Sequence, residues 1–410
     1  MPDSSSDRGG TSFARYWAAA TISSCGTAVT TVALPVLVVQ SLEASALEVG
    51  VVSAAQFVPY AVLGLVAGVY SDRWPRKPIL VWGSLGRAAA LGAIPVLWAL
   101  NVLQVWALVA LLLAFGACSV FAFAATQSLL PHLVPREGLV RANARLDQTD
   151  AAAQTAGPAL GGGLVALVGA PVALAVDAVS YLVDAALNAG LRVEEPAPDR
   201  TTPRSMRREI REGLRWTYRH PALGPLAVST HTWFVANAAA FTALSLVVLR
   251  SMDLSAFVFG LLAAGAGVAT LAGASLAPTV GGRIGTGRAI ILSRAVYPVA
   301  WLVVALAPSV AAGVGLLFVA LAAHGLAAGV ENANEMGLRQ LVTPDRLLGR
   351  VSATMRSANR TAAAVGAVLS GVAITILGEE PTLVGVAVVF ALAALIAGFS
   401  PLRDWEETQP

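Results

Sequence analysis

The sequence predicts an all-α membrane protein whose twelve transmembrane helices form two six-helix pseudo-symmetric halves. The 410 residues are 56% hydrophobic and only 12% charged, with a mean hydropathy of +0.71, whereas a soluble domain carries about 25% charged residues. Apolar stretches of about 18 residues or more, long enough to cross a bilayer, recur along the whole chain. Basic residues cluster in every second connection between these stretches.

Charged residues, prolines and glycines divide the chain into a cytoplasmic tail (1–12), a first half (13–191), a linker (192–221), a second half (222–402) and a second tail (403–410). Helices of the first half are predicted near 13–40, 47–70, 78–99, 102–128, 147–169 and 171–191. Those of the second half are predicted near 222–249, 255–279, 287–307, 310–334, 351–377 and 382–402. The first apolar stretch is too long for a signal peptide and lacks a small-residue cleavage site, so we expect it to remain as a span.

The distribution of positive charge predicts the orientation of these helices. The even-numbered connections contain Arg73, Arg76, Lys77, Arg136, Arg141, Arg145, Arg283, Arg288, Arg339, Arg346 and Arg350. The odd-numbered connections contain essentially Arg250 alone. Because cytoplasmic loops carry the excess of basic residues, we expect both termini and the linker to be cytoplasmic, in a multi-pass protein of the inner membrane.

The linker is predicted to contain an amphipathic helix. Met206, Ile210, Leu214 and Tyr218 recur every four residues. The remaining arc carries Arg204, Arg207, Arg208, Arg211, Arg215 and Arg219. Such a helix suits the headgroup region of the inner leaflet, where each cation gains about 1 kcal/mol. We interpret it as a tether between the halves, with a regulatory role as the alternative.

An internal repeat relates the two halves. A shift of 209 residues superimposes the segment from Pro135 to Arg141 on the segment from Pro344 to Arg350. The same shift relates Gly157 to Gly366 and Gly162 to Gly371. Two parallel six-helix repeats about an axis normal to the membrane are typical of transporters that work by alternating access.

The connection between the second and third helices carries a recognisable motif. Gly68, Asp72, Arg73, Arg76 and Lys77 occur at a spacing that closely resembles the Gly-x-x-x-Asp-Arg-x-Gly-Arg-Arg loop of the major facilitator superfamily. The resemblance implies the fold of that superfamily and a gating latch between the halves at this loop. Alternatively, the basic residues only anchor the topology.

The chain departs from the family motif at one position of the first half and at one feature of the equivalent segment in the second half. Pro75 stands where the family usually has glycine. The equivalent segment of the second half, 282–288, lacks the aspartate. We therefore expect any latch to be asymmetric.

The fifth predicted helix carries a second motif. Gly157, Pro158, Gly161 and Gly162 are similar to the core of a motif of antiporters in this superfamily, with alanines at two upstream glycine positions. Segments 127–143, 177–181 and 212–221 resemble the drug:proton antiporter branch that includes multidrug, macrolide and siderophore exporters. The resemblance implies export, although a generic small-residue packing face is the alternative for the glycines.

In the family's fold, helices 1, 4, 7 and 10 line a central cavity. Candidate cavity residues on these helices are Ser23, Thr27, Thr31, Phe115, Phe123, His231, Trp233, Asn237, Phe241 and His324. A mainly apolar pocket with a few hydrogen-bonding groups fits an amphiphilic ligand. For any single aromatic residue, ordinary helix packing is the alternative interpretation.

Ionisable side chains at membrane depth are candidates for proton coupling because burying them is costly. Glu331 is the first candidate, followed by Asp177 and Asp150. The alternative is a structural role. Glu331 and Glu335 would then pair with Arg339, Arg356 or Arg360, and Asp177 and Asp184 would bind neighbouring helices.

The leading functional hypothesis is export of a small hydrophobic or amphiphilic compound, a drug or secondary metabolite, by proton antiport. The alternatives are an importer of a small metabolite on the same fold and a non-transporting membrane sensor. The sequence contains no His-Glu metal cluster, phosphate loop or nucleophile with an adjacent base, so we expect no enzyme activity, metal or cofactor. Cys25 and Cys118 suggest no disulfide framework. The expected partners are the substrate, protons and the lipid bilayer, without nucleic acid, and the protein is expected to be a monomer.

Overall fold

The computed structural model describes residues 4–135, 138–193 and 206–404, while the side chains of 4–11, Leu65, 68–73, Gln127, Val140, 206, 207 and Asp404 lie outside this description. All regular structure in the described ranges is helical. Twelve helices are long and apolar enough to cross a membrane. The predicted all-α fold with twelve spans is therefore confirmed.

The first half contains seven helices. They are α1 Ser4–Val36, α2 Ala46–Ala55, α3 Val58–Arg73, α4 Arg76–Ala99, α5 Val105–Leu133, α6 Leu139–Val168 and α7 Ala170–Ala189. The helices α2 and α3 together form the second span, which is interrupted at Gln56 and Phe57. Pro59 explains the interruption, because it cannot donate the helical hydrogen bond to the carbonyl of Ala55.

The linker helix α8, Met206–Arg219, leads into the second half. This half contains α9 Leu223–Leu246, α10 Ala256–Ile284, α11 Thr286–Leu306, α12 Gly313–Leu341, α13 Asp345–Leu377 and α14 Glu379–Gly398. Three helices begin well before their predicted starts: α1 at Ser4 rather than near 13, α6 at Leu139 rather than near 147, and α13 at Asp345 rather than near 351. The predicted starts followed the first apolar residues, whereas each helix already begins in the polar residues that precede them.

The repeat is visible in the backbone. The helices α1 and α9 each end in a π-helical turn, at Leu37–Ser41 and Val247–Ser251. Each turn is followed by an acidic residue with a φ of 48°, Glu43 in the first half and Asp253 in the second. Such positive values are uncommon for residues other than glycine. The two halves therefore repeat local conformation as well as sequence.

Two pairs of glycines allow the halves to approach each other closely. A Cβ atom at Gly260 of α10 would lie 2.3 Å from the carbonyl oxygen of Pro158 in α6. In the pseudo-equivalent contact, a Cβ atom at Gly50 of α2 would lie 2.6 Å from the carbonyl oxygen of Ala367 in α13. These distances are too short for any side chain. The α6–α10 and α2–α13 contacts therefore depend on backbone-to-backbone packing.

The linker helix packs on the second half. Arg350 of α13 pairs with Glu212, and its guanidinium also lies 3.4 Å from a carboxylate oxygen of Glu209. Thr217 is buried. In contrast, Leu214 and Tyr218 of the predicted apolar stripe are exposed. Leu214 and Tyr218 therefore do not provide the contact with α13. Gly213 does, since a Cβ atom there would lie 3.0 Å from the carbonyl oxygen of Arg350.

Candidate functional site

A cavity with a volume of about 940 Å³ lies inside the first half and is bounded by Arg360 on the side of the second half. Its wall combines hydroxyl groups of α1 with aromatic rings of α5 and α7. These lining residues are Ser23, Ser24, Thr27, Thr31, Phe115, Ser119, Phe123 and Tyr181. The cavity extends to Pro131 and Leu139 at the α5–α6 connection. The number of passes places this connection at the same end of the bundle as α8.

The opposite end of the molecule is closed by reciprocal contacts between the two π-helical turns. The side-chain amide of Gln40 donates hydrogen bonds to the carbonyl oxygens of Leu249, at 3.2 Å, and Leu254, at 3.4 Å. The guanidinium of Arg250 donates to the carbonyl oxygen of Ala44 at 2.6 Å. We call these three hydrogen bonds the terminal clasp. They hold the halves together at the end away from α8.

Five of the predicted cavity residues lie in the cavity wall: Ser23, Thr27, Thr31, Phe115 and Phe123. The other five, His231, Trp233, Asn237, Phe241 and His324, are not in the described wall. His231 instead forms hydrogen bonds with Tyr218 of α8, at 2.9 Å, and with Asn359 of α13, at 2.7 Å. This arrangement connects the linker helix to two spans of the second half.

An aromatic cluster inside the second half contains three of those five residues. Its rings belong to Trp233, Phe241, Tyr297, Trp301, His324 and Phe390. The indole nitrogen of Trp301 donates a hydrogen bond to Nδ1 of His324 at 3.1 Å. His324 is buried. His324 therefore lies among these rings and not in the described cavity wall, because its side chain points toward Tyr297 and Trp301 of α11.

A charged cluster lies beside these rings. The Arg294 guanidinium is fully buried and contacts Glu331 at 2.8 Å and Glu335 at 3.1 Å. Tyr297 donates a hydrogen bond to the other carboxylate oxygen of Glu331 at 2.6 Å, and Thr230 lies 2.7 Å from Arg294. Glu331 and Glu335 therefore pair with Arg294, not with Arg339, Arg356 or Arg360. The only indication of this pairing in the sequence is that Arg294 lies within a predicted span, where an arginine needs a partner.

The first half contains a polar network of α1, α4 and α7. Arg87 lies 3.5 Å from the carboxylate of Asp184, which also accepts hydrogen bonds from Ser84 and, at 3.0 Å, from Asn188. The Arg87 guanidinium lies 4.2 Å from the centre of the Tyr181 ring. Arg87, Tyr181, Asp184 and Asn188 all line the cavity. The sequence interpretation assigned none of them to the site, although Arg87 and Asp184 were conspicuous at membrane depth.

Asp177 lies behind this network, where it is fully buried. Its carboxylate accepts hydrogen bonds from Thr30 of α1, at 2.5 Å, and from Ser180, at 3.0 Å. Among the side chains that the structure describes, no cationic group forms an ion pair with it. Tyr181 connects the network to α1 through a 2.8 Å hydrogen bond with Thr27. Asp177 is therefore a buried carboxylate one step removed from the cavity.

Asp150 occupies a different environment. It is exposed on α6 in the cavity wall, where its carboxylate accepts hydrogen bonds from Ser24 at 3.2 Å and Gln154 at 2.6 Å. The three proton-coupling candidates thus lie at three separate places. Glu331 is in a buried ion pair, Asp150 is on an open wall, and Asp177 is buried with hydroxyl partners.

The small residues of α6 form two contacts. A Cβ atom at Gly157 would lie 2.2 Å from the Cβ atom of Ala28, and one at Gly161 would lie 2.9 Å from the Cα atom of Val29, both in α1. A Cβ atom at Gly162 would lie 2.6 Å from the carbonyl oxygen of Ala256 in α10. The predicted antiporter-like motif, with Pro158 between these glycines, therefore lies where one half meets the other.

The predicted gating loop is only partly described. Gly68, Asp72 and Arg73 have side chains outside the described set, so their latch role stays a prediction. Lys77 donates a hydrogen bond to the carbonyl oxygen of Leu191 at 2.8 Å. This contact joins the start of α4 to the segment after α7. Arg76 lies in the first turn of α4.

Comparisons with known proteins complete this description. A family profile described as transmembrane secretion effector matches residues 9–410. The chain is 32% identical over 207 residues to the multidrug efflux pump Tap of Mycobacterium tuberculosis (strain ATCC 25618 / H37Rv), which covers 48% of this chain and 48% of that protein. It is also 31% identical over 271 residues to the MFS-type transporter y4rN of Sinorhizobium fredii. This aligned region covers 65% of this chain and 64% of that protein. The chain therefore spans about half the length of the efflux pump it matches.

Solved structures resemble the fold closely. The nucleoside transporter NupG superimposes with a TM-score of 0.74 at 12% identity, covering 96% of this chain and 100% of that chain. A bacterial homologue of the human lysosomal transporter Spinster, in an inward-facing and unoccupied conformation, gives a TM-score of 0.71 at 15% identity, covering 95% and 96%. At such low identity the likeness concerns the fold alone.

Proposed function

The chain belongs to the transmembrane secretion effector family of major facilitator transporters, and from this premise we propose that it exports small hydrophobic or amphiphilic compounds. It is a membrane transporter with twelve spans and not an enzyme. In the proposed mechanism, proton antiport drives alternating access, so that the halves expose one cavity to each side of the inner membrane in turn. The protein acts as a monomer with both termini in the cytoplasm.

The composition of the cavity wall carries this proposal. Aromatic rings of Phe115, Phe123 and Tyr181 and hydroxyl groups of Thr27 and Thr31 line a volume of about 940 Å³. Pockets for small organic molecules occupy about 300–1,000 Å³ and combine apolar walls with a few polar groups. The cavity is large enough for a drug-sized compound and offers both kinds of contact.

The direction of transport is inferred from two observations. The relative that matches about half of the chain is a multidrug efflux pump. The cavity extends toward the end that carries α8, while the terminal clasp closes the other end. With α8 in the cytoplasm, this arrangement supports an inward-open state that would load its substrate from the cytoplasm or the inner leaflet.

Asp177 is the proposed proton carrier. Burial of a carboxylate without an ion pair is costly, and uptake of a proton removes that cost. The network of the first half contains two carboxylates, Asp177 and Asp184, and one guanidinium, Arg87. When all three groups are ionised, their net charge is −1, so that uptake of one proton makes the network electrically neutral. Because Asp184 borders the cavity, the network offers a route by which substrate could influence the proton on Asp177.

Glu331 and Asp150 are the less favoured carriers for separate reasons. Glu331 already has Arg294 and Tyr297 as partners inside the second half, away from the cavity wall. Asp150 is exposed, so it would exchange protons with water without a conformational change. A residue that couples proton movement to transport needs a different proton affinity, or different access to water, in the inward-open and outward-open conformations.

The test is transport in proteoliposomes with an imposed pH gradient, using fluorescent dyes of different charge. The wild type is expected to move at least one dye uphill and to release protons when that dye is added to purified protein. Asp177→Asn is expected to abolish both the proton release and the uphill transport. Glu331→Gln and Asp150→Asn are expected to retain the proton release.

Asp253→Asn is the matched control, since Asp253 is exposed in the connection between α9 and α10. Full pH-dependent transport by Asp177→Asn would refute the coupling assignment. Movement of the dyes only in the opposite direction would favour the importer instead.

A further inference from the structure

Arg356 and Arg360 lie one helical turn apart on α13, so they share one face of that helix. The Arg356 guanidinium carbon is 3.7 Å from the centre of the Phe123 ring in α5. The Arg360 guanidinium carbon is 5.3 Å from the ring of Phe57 and 5.7 Å from that of Tyr60. Both side chains therefore reach from the second half to aromatic residues of the first half.

This arginine pair borders the cavity. Phe57, Tyr60, Phe123 and Arg360 all belong to its wall. Arg360 is also the one described lining residue that the second half contributes. The pair is therefore the place where a molecule in the cavity would contact both halves.

The positive charge of this pair has no protein counter-charge in the described part of the chain. Three other arginines of the spans or their ends have carboxylate partners: Arg87 has Asp184, Arg294 has Glu331, and Arg350 has Glu209. No described carboxylate pairs with Arg356 or Arg360, and neither forms a hydrogen bond with another described residue. Intramembrane charges without a partner usually mark a substrate pathway.

The chemistry of the pair specifies the missing partner. A guanidinium that stacks on an aromatic ring keeps its N–H edge available, and that edge matches the two oxygens of a carboxylate or sulfonate. The rings of Phe57, Tyr60 and Phe123 supply apolar surface beside this edge. A ligand with an anionic group attached to an aromatic body would contact both.

We propose that Arg356 and Arg360 bind the anionic group of an aromatic amphiphile at the mouth of the cavity. This inference rests on the proposed function, because it assigns the charge of a transported substrate. An anionic lipid headgroup offers the same chemistry, and the experiment separates the two sources.

The experiment measures equilibrium binding to the purified protein in discs of phosphatidylcholine. The probes are dansylglycine and dansylglycinamide, which share the aromatic body and differ only in the carboxylate. Loss of a hydrogen-bonded ion pair is expected to weaken binding about tenfold or more. The wild type should therefore bind the carboxylate at least tenfold more tightly than the amide.

Arg360→Gln and Arg356→Gln should each remove most of this preference, measured as the ratio of the affinities for the carboxylate and the amide in the same variant. Arg360→Lys should retain part of it, since lysine keeps the charge without the planar fork. Arg346→Gln is the matched control, because Arg346 lies on the same helix but is exposed. An elution volume in size-exclusion chromatography equal to that of the wild type shows that the variants are folded.

Three results would overturn the proposal. The first is equal affinity of the wild type for the two probes, or binding of neither. The second is a carboxylate preference that persists in both glutamine variants. The third is displacement of dansylglycine by phosphatidylglycerol added to the discs, which would assign the site to lipid. If the protein does not export the dyes but the wild type still binds the carboxylate more tightly than the amide, the export proposal is refuted while the anion-binding proposal is supported.

Discussion

In the first half, the charged network of α1, α4 and α7 borders the cavity, whereas in the second half the network of α9, α11 and α12 is buried beside the aromatic cluster. The shift of 209 residues places Phe390 at the position of Tyr181 and Ala393 at that of Asp184. The duplicated backbone has thus been kept while the chemistry has diverged. Under the proposed function, this comparison favours the first half as the place of proton uptake, while the second half contributes Arg356 and Arg360 to the ligand site.

The largest expected effect is the difference in lost stability between Arg294→Ala in the second half and Arg87→Ala in the first half. Arg294→Ala leaves two carboxylates without a cation in a closed site, which should reduce the free energy of unfolding by about 3–5 kcal/mol. Arg87→Ala should have a smaller effect, about 1–3 kcal/mol, because water in the cavity can solvate Asp184. Denaturant unfolding of the purified protein, followed by tryptophan fluorescence, measures both. Arg288→Ala, at an exposed position of α11, is the control. Equal losses of unfolding free energy in Arg294→Ala and Arg87→Ala would contradict the difference between an open network in the first half and a buried one in the second.

A second, smaller effect tests the pair Tyr181 and Phe390. The hydroxyl of Tyr181 bonds to Thr27, whereas the offset of 210 residues between the two π-helical turns places Asn237 at the position of Thr27. Phe390→Tyr would bury a hydroxyl without the threonine partner and is expected to cost about 1–3 kcal/mol of unfolding free energy. Adding Asn237→Thr should recover about 0.5–1.5 kcal/mol if a hydrogen bond forms.

A double-mutant cycle of unfolding free energies measures this recovery. Phe399→Tyr serves as its control, because Phe399 is exposed. A coupling energy near zero would mean that the two halves no longer share side-chain geometry at these positions.

The smallest effect concerns the entry to the second half. His220 Nδ1 accepts hydrogen bonds from the backbone N–H groups of Ala222, at 3.2 Å, and Leu223, at 3.3 Å, and so caps α9. Burial lowers the pKa of His220. The unfolded chain therefore takes up the proton more readily than the folded protein, and stability should fall as the pH drops below about 6.5. This contribution is fully present at higher pH.

Melting temperatures between pH 8 and 5 provide the measurement. His220→Asn keeps an acceptor at the cap but does not titrate. The difference between the melting curves of the wild type and this variant should therefore change with pH in that range. A constant difference would contradict the prediction.

The sequence predicts the spans and their grouping because each depends on local information. Apolar length identifies a span, and a polar linker separates the halves. The faces of the helices could not be predicted in the same way, since a buried span is apolar on nearly all sides. His324 illustrates this: its position on the tenth span fits a cavity wall, but the rotation of α12 directs it toward Trp301. Similarly, nothing local connects Arg294 with Glu331.

The terminal clasp has an evolutionary consequence. Gln40 and Arg250 bind main-chain oxygens, so the acceptor positions 44, 249 and 254 can change their side chains without loss of the hydrogen bonds. Homologous chains should therefore show variation at these acceptor positions beside a retained amide and guanidinium. Pairwise covariation would overlook such a contact, because only one member of each pair is constrained.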